Sequence, residues 1–168
     1  MPLRLDNGTE ITIREIRADD KDLLVAGYAR LSERSRLGRF LGPKPRLTKS
    51  DLRYLTEVDG VSHVALVAVL ADRPSHLVGV GRFVRLKDDP DTAEFAIVVG
   101  DALQGQGLGG HLADLLAARA VEVGVKRFTA TVLSENEAVQ RLIARISNHL
   151  AYDHRTGGVR EVVADLAA

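Results

Sequence analysis

From Glu10 to Arg17 the chain alternates, with Ile11 and Ile13 on one face and Thr12, Arg14 and Ile16 on the other. A β-branched run with this period predicts a strand. Asp19 and Asp20 then precede apolar residues at helical spacing, Leu24, Tyr28 and Leu31, and are expected to cap a helix. Breakers between Leu37 and Pro45 predict a loop. Thr48-Lys49-Ser50-Asp51 predicts the start of a second, short helix, with the acidic residue three positions after the cap. Three strands follow: Val64 to Leu70, Leu77 to Leu86 and Thr92 to Val99. The turns between them, at Asp72 to Ser75 and Lys87 to Asp91, are too short for helical crossovers, so an antiparallel meander is expected. Leu108, Leu112, Leu115, Leu116, Ala120 and Val123 mark a helix that Gly124 ends. Arg127 to Leu133 reads as a strand. Ser134 and Glu137 form a capping box for a helix carrying Val139, Leu142, Ile143 and Ile146. Leu150 to His154 and Val159 to Leu166 flank a turn at Gly157-Gly158. The predicted order is β-α-α-β-β-β-α-β-α-β-β, a mixed α/β (α+β) fold rather than a doubly wound parallel sheet.

No repeat, low-complexity tract or linker interrupts residues 1–168, so a single domain is expected. Apolar residues make up 45 % and charged residues 27 %, a globular composition. Lys plus Arg (23) balances Asp plus Glu (23), which argues against a nucleic-acid partner. With no cysteine there is no disulfide, thiol nucleophile or cysteine zinc site. The five histidines show no metal-ligand spacing, so no metal is expected. The N-terminal residues lack the apolar run of a signal peptide, and no stretch is long and apolar enough to span a membrane. A cytoplasmic protein with no membrane partner, monomeric or homodimeric, is the expectation.

The chemistry concentrates in Gln104-Gly105-Gln106-Gly107-Leu108-Gly109-Gly110, between a strand and a helix. Glycines let a backbone approach a ligand closely and aim several N–H groups at one point. A helix N-terminus adds partial positive charge, and together these suit a pyrophosphate. A glycine-rich turn with no ligand is the plainer reading. It leaves four glycines in six positions without a reason, at roughly 1 kcal/mol each inside a helix. Gly105, Gly107 and Gly110 also satisfy the dinucleotide pattern G-x-G-x-x-G, so a nicotinamide-dependent oxidoreductase stands as an alternative. Against it, the preceding strands read as a meander and no ribose-binding acid is evident at the expected distance. No Gly-Lys-Ser/Thr follows, which excludes a Walker loop.

Gln104, Gly107 and Gly109 match Gln/Arg-x-x-Gly-x-Gly/Ala, and here the chain resembles the GNAT (GCN5-related N-acetyltransferase) family. The element order is similar to that family's over nearly the whole chain. The segments Leu31 to Ser35, Arg39-Phe40, Leu55 to Asp59 and His63 to Ala68 resemble its bacterial protein lysine acetyltransferase branch. The resemblance implies acetyl-CoA as cosubstrate, with its pyrophosphate on Gln104 to Gly110 and its pantetheine arm along the backbone of Ile97, Val98 and Val99. It also implies a contact of Asn136 with the CoA arm, although Asn136 reads equally well as a helix cap. The implied acceptor is an amine, either a protein lysine or a small molecule.

An amine must be neutral to attack a thioester, and a free lysine, with pKa about 10.4, is mostly protonated at pH 7. Glu94, in the otherwise apolar Thr92 to Val99 strand, is the candidate general base, and burial there is expected to raise its pKa. It resembles the strand glutamate that serves as base in the lysine acetyltransferase branch. A salt bridge to Arg82 or Arg85 is the structural alternative. Oxyanion donors are expected near Val98 or Val99, provided a bulge splays this strand from Arg127 to Leu133. Many family members place a tyrosine general acid in the last long helix, but here Ile143 stands at that position. Water, or Tyr152 from the tail, would have to replace it. A non-catalytic acetyl-CoA-binding regulatory module is therefore the second alternative.

Overall fold

The computed structural model describes residues 1–33, 35, 46–133, 137–156 and 159–166. Among them one sheet runs through β1 (Pro2–Arg4), β2 (Glu10–Glu15), β3 (His63–Leu70), β4 (Arg73–Arg85), β5 (Thr92–Val99), β6 (Arg127–Leu133), β8 (Val159–Leu166) and β7 (Ser147–Thr156), in that spatial order. Every neighbouring pair is antiparallel except β5 and β6. Helices α1 (Lys21–Ala29) and α2 (Lys49–Thr56) pack on one face. Helices α3 (Leu108–Glu122) and α4 (Glu137–Ile146) pack on the other. No helix among the described residues is long and apolar enough to cross a membrane.

Both faces of the sheet are covered, and β3 shows why its sequence is apolar from Val64 to Leu70. Val64 meets the α3–α4 layer, whereas Ala65, Val67 and Val69 meet α1 and α2. On β4 the alternation carries a second message. A Cβ on Gly79 would lie 3.1 Å from Leu108 Cδ2, and one on Gly81 would lie 2.7 Å from Leu116 Cδ1. Two glycines on one face thus let α3 settle directly onto the strand.

The mixed, mainly antiparallel architecture agrees with the expected one. The expected helix start at Ser134, the loop over 37–45 and the turn at Gly157-Gly158 lie outside the described residues. Strand β7 begins earlier than expected, at Ser147, and three further details differ from expectation. The three-residue β1, too short to show a period, pairs with β2 at the sheet edge. Strand β4 begins at Arg73, because register shifts at Ala68 to Leu70 let pairing continue around the turn. Asp20 does not cap α1 with its side chain. Its carboxylate accepts the Arg17 N–H at 2.7 Å and both Arg14 guanidinium nitrogens at 2.8 Å, closing the short turn Ala18–Asp20 and pinning α1 to β2.

Asp20 is only 6 % exposed, so its replacement leaves Arg14 with an uncompensated charge in a poorly solvated place. Asp20→Ala is expected to lower unfolding free energy by about 2–4 kcal/mol. The hydrogen bonds from Arg14, helped by Arg17, hold the Asp20 carboxyl below the ordinary carboxylate range. The wild type therefore keeps this stabilisation above about pH 4, the value in the unfolded chain, and loses it as pH falls through the lowered native value. Urea midpoints from pH 3 to 7 check this. A variant whose midpoint parallels the wild type's throughout that range contradicts it.

Candidate active site

The site is built around the parting of β5 and β6. Their parallel pairing covers only Thr92↔Arg127, Ala93↔Phe128 and Glu94↔Thr129, although β5 continues to Val99 and β6 to Leu133. On its other edge β5 stays paired with β4 as far as Val99. Leu86 N–H donates to Thr92 O (2.9 Å) and Gly100 N–H to Val78 O (2.8 Å). Alternation between these two bonds turns the backbone groups of Glu94, Ala96 and Val98 toward β4. Those of Ile97 and Val99 face the opening, where β6 no longer pairs. Gln104 Nε2 donates to Val99 O at 3.0 Å, which leaves the Ile97 N–H and C=O and the Val99 N–H toward the gap. The splaying on which an oxyanion site depends is therefore present. The expectation for Val98 needs correction, because its amide is engaged with β4. Its side chain instead lines a cavity on the α1–α2 face.

The glycine loop sits at the open end of the gap. Gly105 has φ +79° and Gly107 φ +92°, the left-handed region in which a side chain is strained. Gly107 is the N-cap of α3, and His111 N–H to Gly107 O (3.2 Å) is the first bond of that helix. The amides of Leu108, Gly109 and Gly110 precede it, so they form the open end of the helix dipole. The Leu108 side chain is 1 % exposed and belongs to the core, leaving only its amide for a ligand. Gly109 and Gly110 have a different reason to be small. A Cβ on Gly109 would lie 3.1 Å from Leu142 Cδ1, and one on Gly110 would lie 3.1 Å from Arg145 Nη1, both on α4. Gln106 O accepts the Asp6 N–H at 3.1 Å, which ties the turn after β1 to the loop.

Gln104 is a brace. Besides Val99 O, its Nε2 reaches Ser35 Oγ (3.2 Å) and Asp101 Oδ1 (3.2 Å). Asp101 accepts the Ser32 N–H at 2.9 Å and the Ser35 hydroxyl at 2.5 Å, and these bonds, Ser35's first, lower its pKa. The segment after α1 is thus fastened to the residues that lead into the loop. Nothing in the sequence pairs Ser35 with Asp101, since they lie 66 residues apart.

Glu94 is exposed, not buried, because its side chain leaves the sheet on the α1–α2 face at the last residue paired with β6. The burial expected to raise its pKa is absent. So is the salt bridge: Arg85 donates to Pro90 O and Val123 O, and among the described residues Glu94 has no ion pair. Arg82 is 4 % exposed and donates from Nη1 to Leu55 O (3.0 Å), with His63 Nε2 at 2.9 Å. A guanidinium only donates, so in this contact Nε2 of the His63 ring is the acceptor. Ile143 is 1 % exposed and packed in the core, as expected of a residue that supplies no proton. Tyr152 lies on β7 opposite Val162. Asn136 lies outside the described residues. Among the described residues no three acidic or imidazole groups converge to hold a metal.

The Acetyltransferase (GNAT) domain family matches residues 10–147. Acetyltransferase Pat of Mycolicibacterium smegmatis is 32 % identical over 153 residues, covering 87 % of this chain but 43 % of its own length. The chain therefore spans less than half the length of that curated relative. The GNAT domain of S. lividans PAT superposes with a TM-score of 0.87 at 30 % identity, covering 99 % of this chain and 96 % of that one. An acetyltransferase structure from Salmonella typhimurium, solved with its cofactor acetyl-CoA, has a TM-score of 0.69 at 20 % identity over 94 % of each chain. That last likeness speaks for the fold alone.

The two kinds of glycine separate by mutation. Gly107→Glu adds bulk and negative charge at the helix N-terminus, and CoA affinity is expected to fall at least about 100-fold in a folded protein, the loss of two or more charge-assisted hydrogen bonds. Gly110→Ala meets only the guanidinium end of Arg145, a contact of 3.1 Å that a small shift of that long side chain relieves. It is expected to stay within about 1 kcal/mol of wild-type stability, since the gain in helix propensity offsets the contact. Its CoA affinity should be unchanged. Calorimetric titration with CoA and with NAD reads both. Equal loss in the two variants, or NAD binding more tightly than CoA, contradicts the assignment.

Proposed function

The chain belongs to the GNAT acetyltransferase family, and from that membership we propose that it moves an acetyl group from acetyl-CoA to an amine. One observation carries the reading: the gap between β5 and β6 opens directly onto a left-handed glycine turn and a helix N-terminus. An anionic diphosphate suits the amides of Gly107 to Gly110, and an amide-bearing arm suits the Ile97 and Val99 backbone. Residues 1–168 are read as one such domain of a cytoplasmic enzyme, with a protein lysine or a small-molecule amine as acceptor.

In this mechanism the acceptor arrives as an ammonium ion and gives one proton to Glu94. Glu94 precedes Ile97 by three residues, about 10 Å along the strand. The glutamate side chain, bridging water and the acceptor nitrogen share that span. Its exposure favours this route, since the carboxylate is open to solvent and to an incoming acceptor. The neutral nitrogen attacks the thioester carbonyl, and the Val99 N–H supports the oxyanion. The C–N bond forms, the nitrogen of the tetrahedral intermediate gives its second proton to a bridging water, and the C–S bond breaks. The thiolate, with a thiol pKa of about 8.5, leaves with little help and takes up that proton through the water.

The burial of Ile143 removes the family's usual acid, and this specifically favours the alternative of a non-catalytic acetyl-CoA-binding module. Thiol release from acetyl-CoA on adding a panel of amines separates the two. Release above the hydrolysis background supports the enzyme, and binding without release supports the module.

If Glu94 is the base, Glu94→Gln should retain acetyl-CoA affinity, which rests on the loop and backbone. Turnover should drop by roughly 100- to 10,000-fold at pH 7. Part of the loss should return as pH rises toward the acceptor's own pKa, where free amine no longer needs a base. Wild-type turnover in the variant at pH 7 would falsify the role. With water as the acid, Tyr152→Phe is expected to leave turnover within a few-fold. A loss of about 100-fold or more would identify Tyr152 as the proton donor instead.

A further inference from the structure

A cavity of about 70 Å³ lies between α1 and the sheet, on the same face as Glu94. Five leucines, 24, 31, 47, 55 and 77, account for much of its wall, and Val80 of β4 and Val98 of β5 lie on its sheet side. One end reaches Val98 and Gly100, beside the β5 edge that faces the gap. The other reaches Arg82 and Leu55. An acetyl group needs no such volume. At about 10–15 Å³ for each water-sized group, the space takes roughly five of them.

We propose that this cavity receives the chain of acyl groups longer than acetyl, so that the preferred donor is a short-chain acyl-CoA, such as butyryl-CoA. The proposal rests on the acyl-transfer reading above. Continuity supports it, because Val98 belongs both to the cavity and to the strand whose next amide, Val99, faces the thioester. The lining supports it too. A wall made largely of leucine and valine side chains suits a neutral hydrocarbon better than an ammonium ion, whose desolvation there is costly. The arrangement therefore suits the acyl donor and not the amine, which approaches from the exposed side at Glu94.

The test is calorimetric titration of the chain with CoA, acetyl-, propionyl-, butyryl-, hexanoyl- and octanoyl-CoA, which needs no acceptor. Each buried methylene should tighten binding about fourfold, giving roughly tenfold or more from acetyl to butyryl, until the cavity is full. Val80→Leu, which fills it, should shift the optimum to a shorter chain. Leu24→Ala, which enlarges it, should shift the optimum to a longer one. Opposite shifts from opposite changes in volume cannot come from general destabilisation. Free CoA affinity serves as the control: if CoA itself does not bind, the acyl-transfer reading fails. If CoA binds and affinity is flat or falls beyond acetyl, only the present proposal fails. Wild-type chain-length optima in both variants also overturn it.

Discussion

The structure depends on what becomes of the backbone groups along one edge of β5. A strand inside a sheet normally satisfies its N–H and C=O groups on both sides, and leaving such groups unpaired in a closed interior is costly. Here β5 keeps β4 along its length but keeps β6 for only three residues. Among the described residues β6 no longer meets the backbone groups of Ile97 and Val99 on that side. An extended molecule with its own amides would complement such an edge. The divergence is stabilised from both sides, since β6 remains paired with β8 through Leu133 and cannot follow β5.

The second condition is that a helix start lies at the open end of the same gap. It does so because α3 rests directly on β4, which Gly79 and Gly81 permit by presenting no side chain to Leu108, Leu112 and Leu116. At the loop itself, Gly105 and Gly107 meet a backbone requirement. Gly109 and Gly110 meet a packing requirement, because α4 crosses there with Leu142 and with Arg145, whose guanidinium binds Asp114 at 2.7 Å. One run of glycines thus answers two separate physical demands.

Much of this was legible in the sequence. The period of β2, the glycine run before α3 and the apolar stripe that buries Ile143 are local signals, and the element order follows from signals of that kind. The capping box at Thr48 is present, with Asp51 N–H to Thr48 Oγ1 at 3.0 Å. What was not legible depends on partners remote in the chain. Whether Glu94 is buried depends on which elements cover its face at the point where β6 pairing ends. Whether the Val98 amide faces the gap depends on the parity of the β4–β5 register, and a shift of one residue would exchange Val98 with Val99. The clasp of Asp101 on Ser32 and Ser35 joins residues with no local reason to meet. The same holds for the contact of buried Arg82 with the His63 ring.

That clasp has a thermodynamic corollary. Asp101 and Gln104 link Ser32 and Ser35, after α1, to Val99 at the edge of the gap. Under the proposed function, a donor in the gap and an acceptor on the α1 side would not occupy independent compartments. Whatever free energy the first contributes to ordering this junction, the second no longer has to supply, and the assistance is equal in both directions. A single hydrogen-bonded carboxylate would then act as the hub of a reciprocal cooperativity between donor and acceptor.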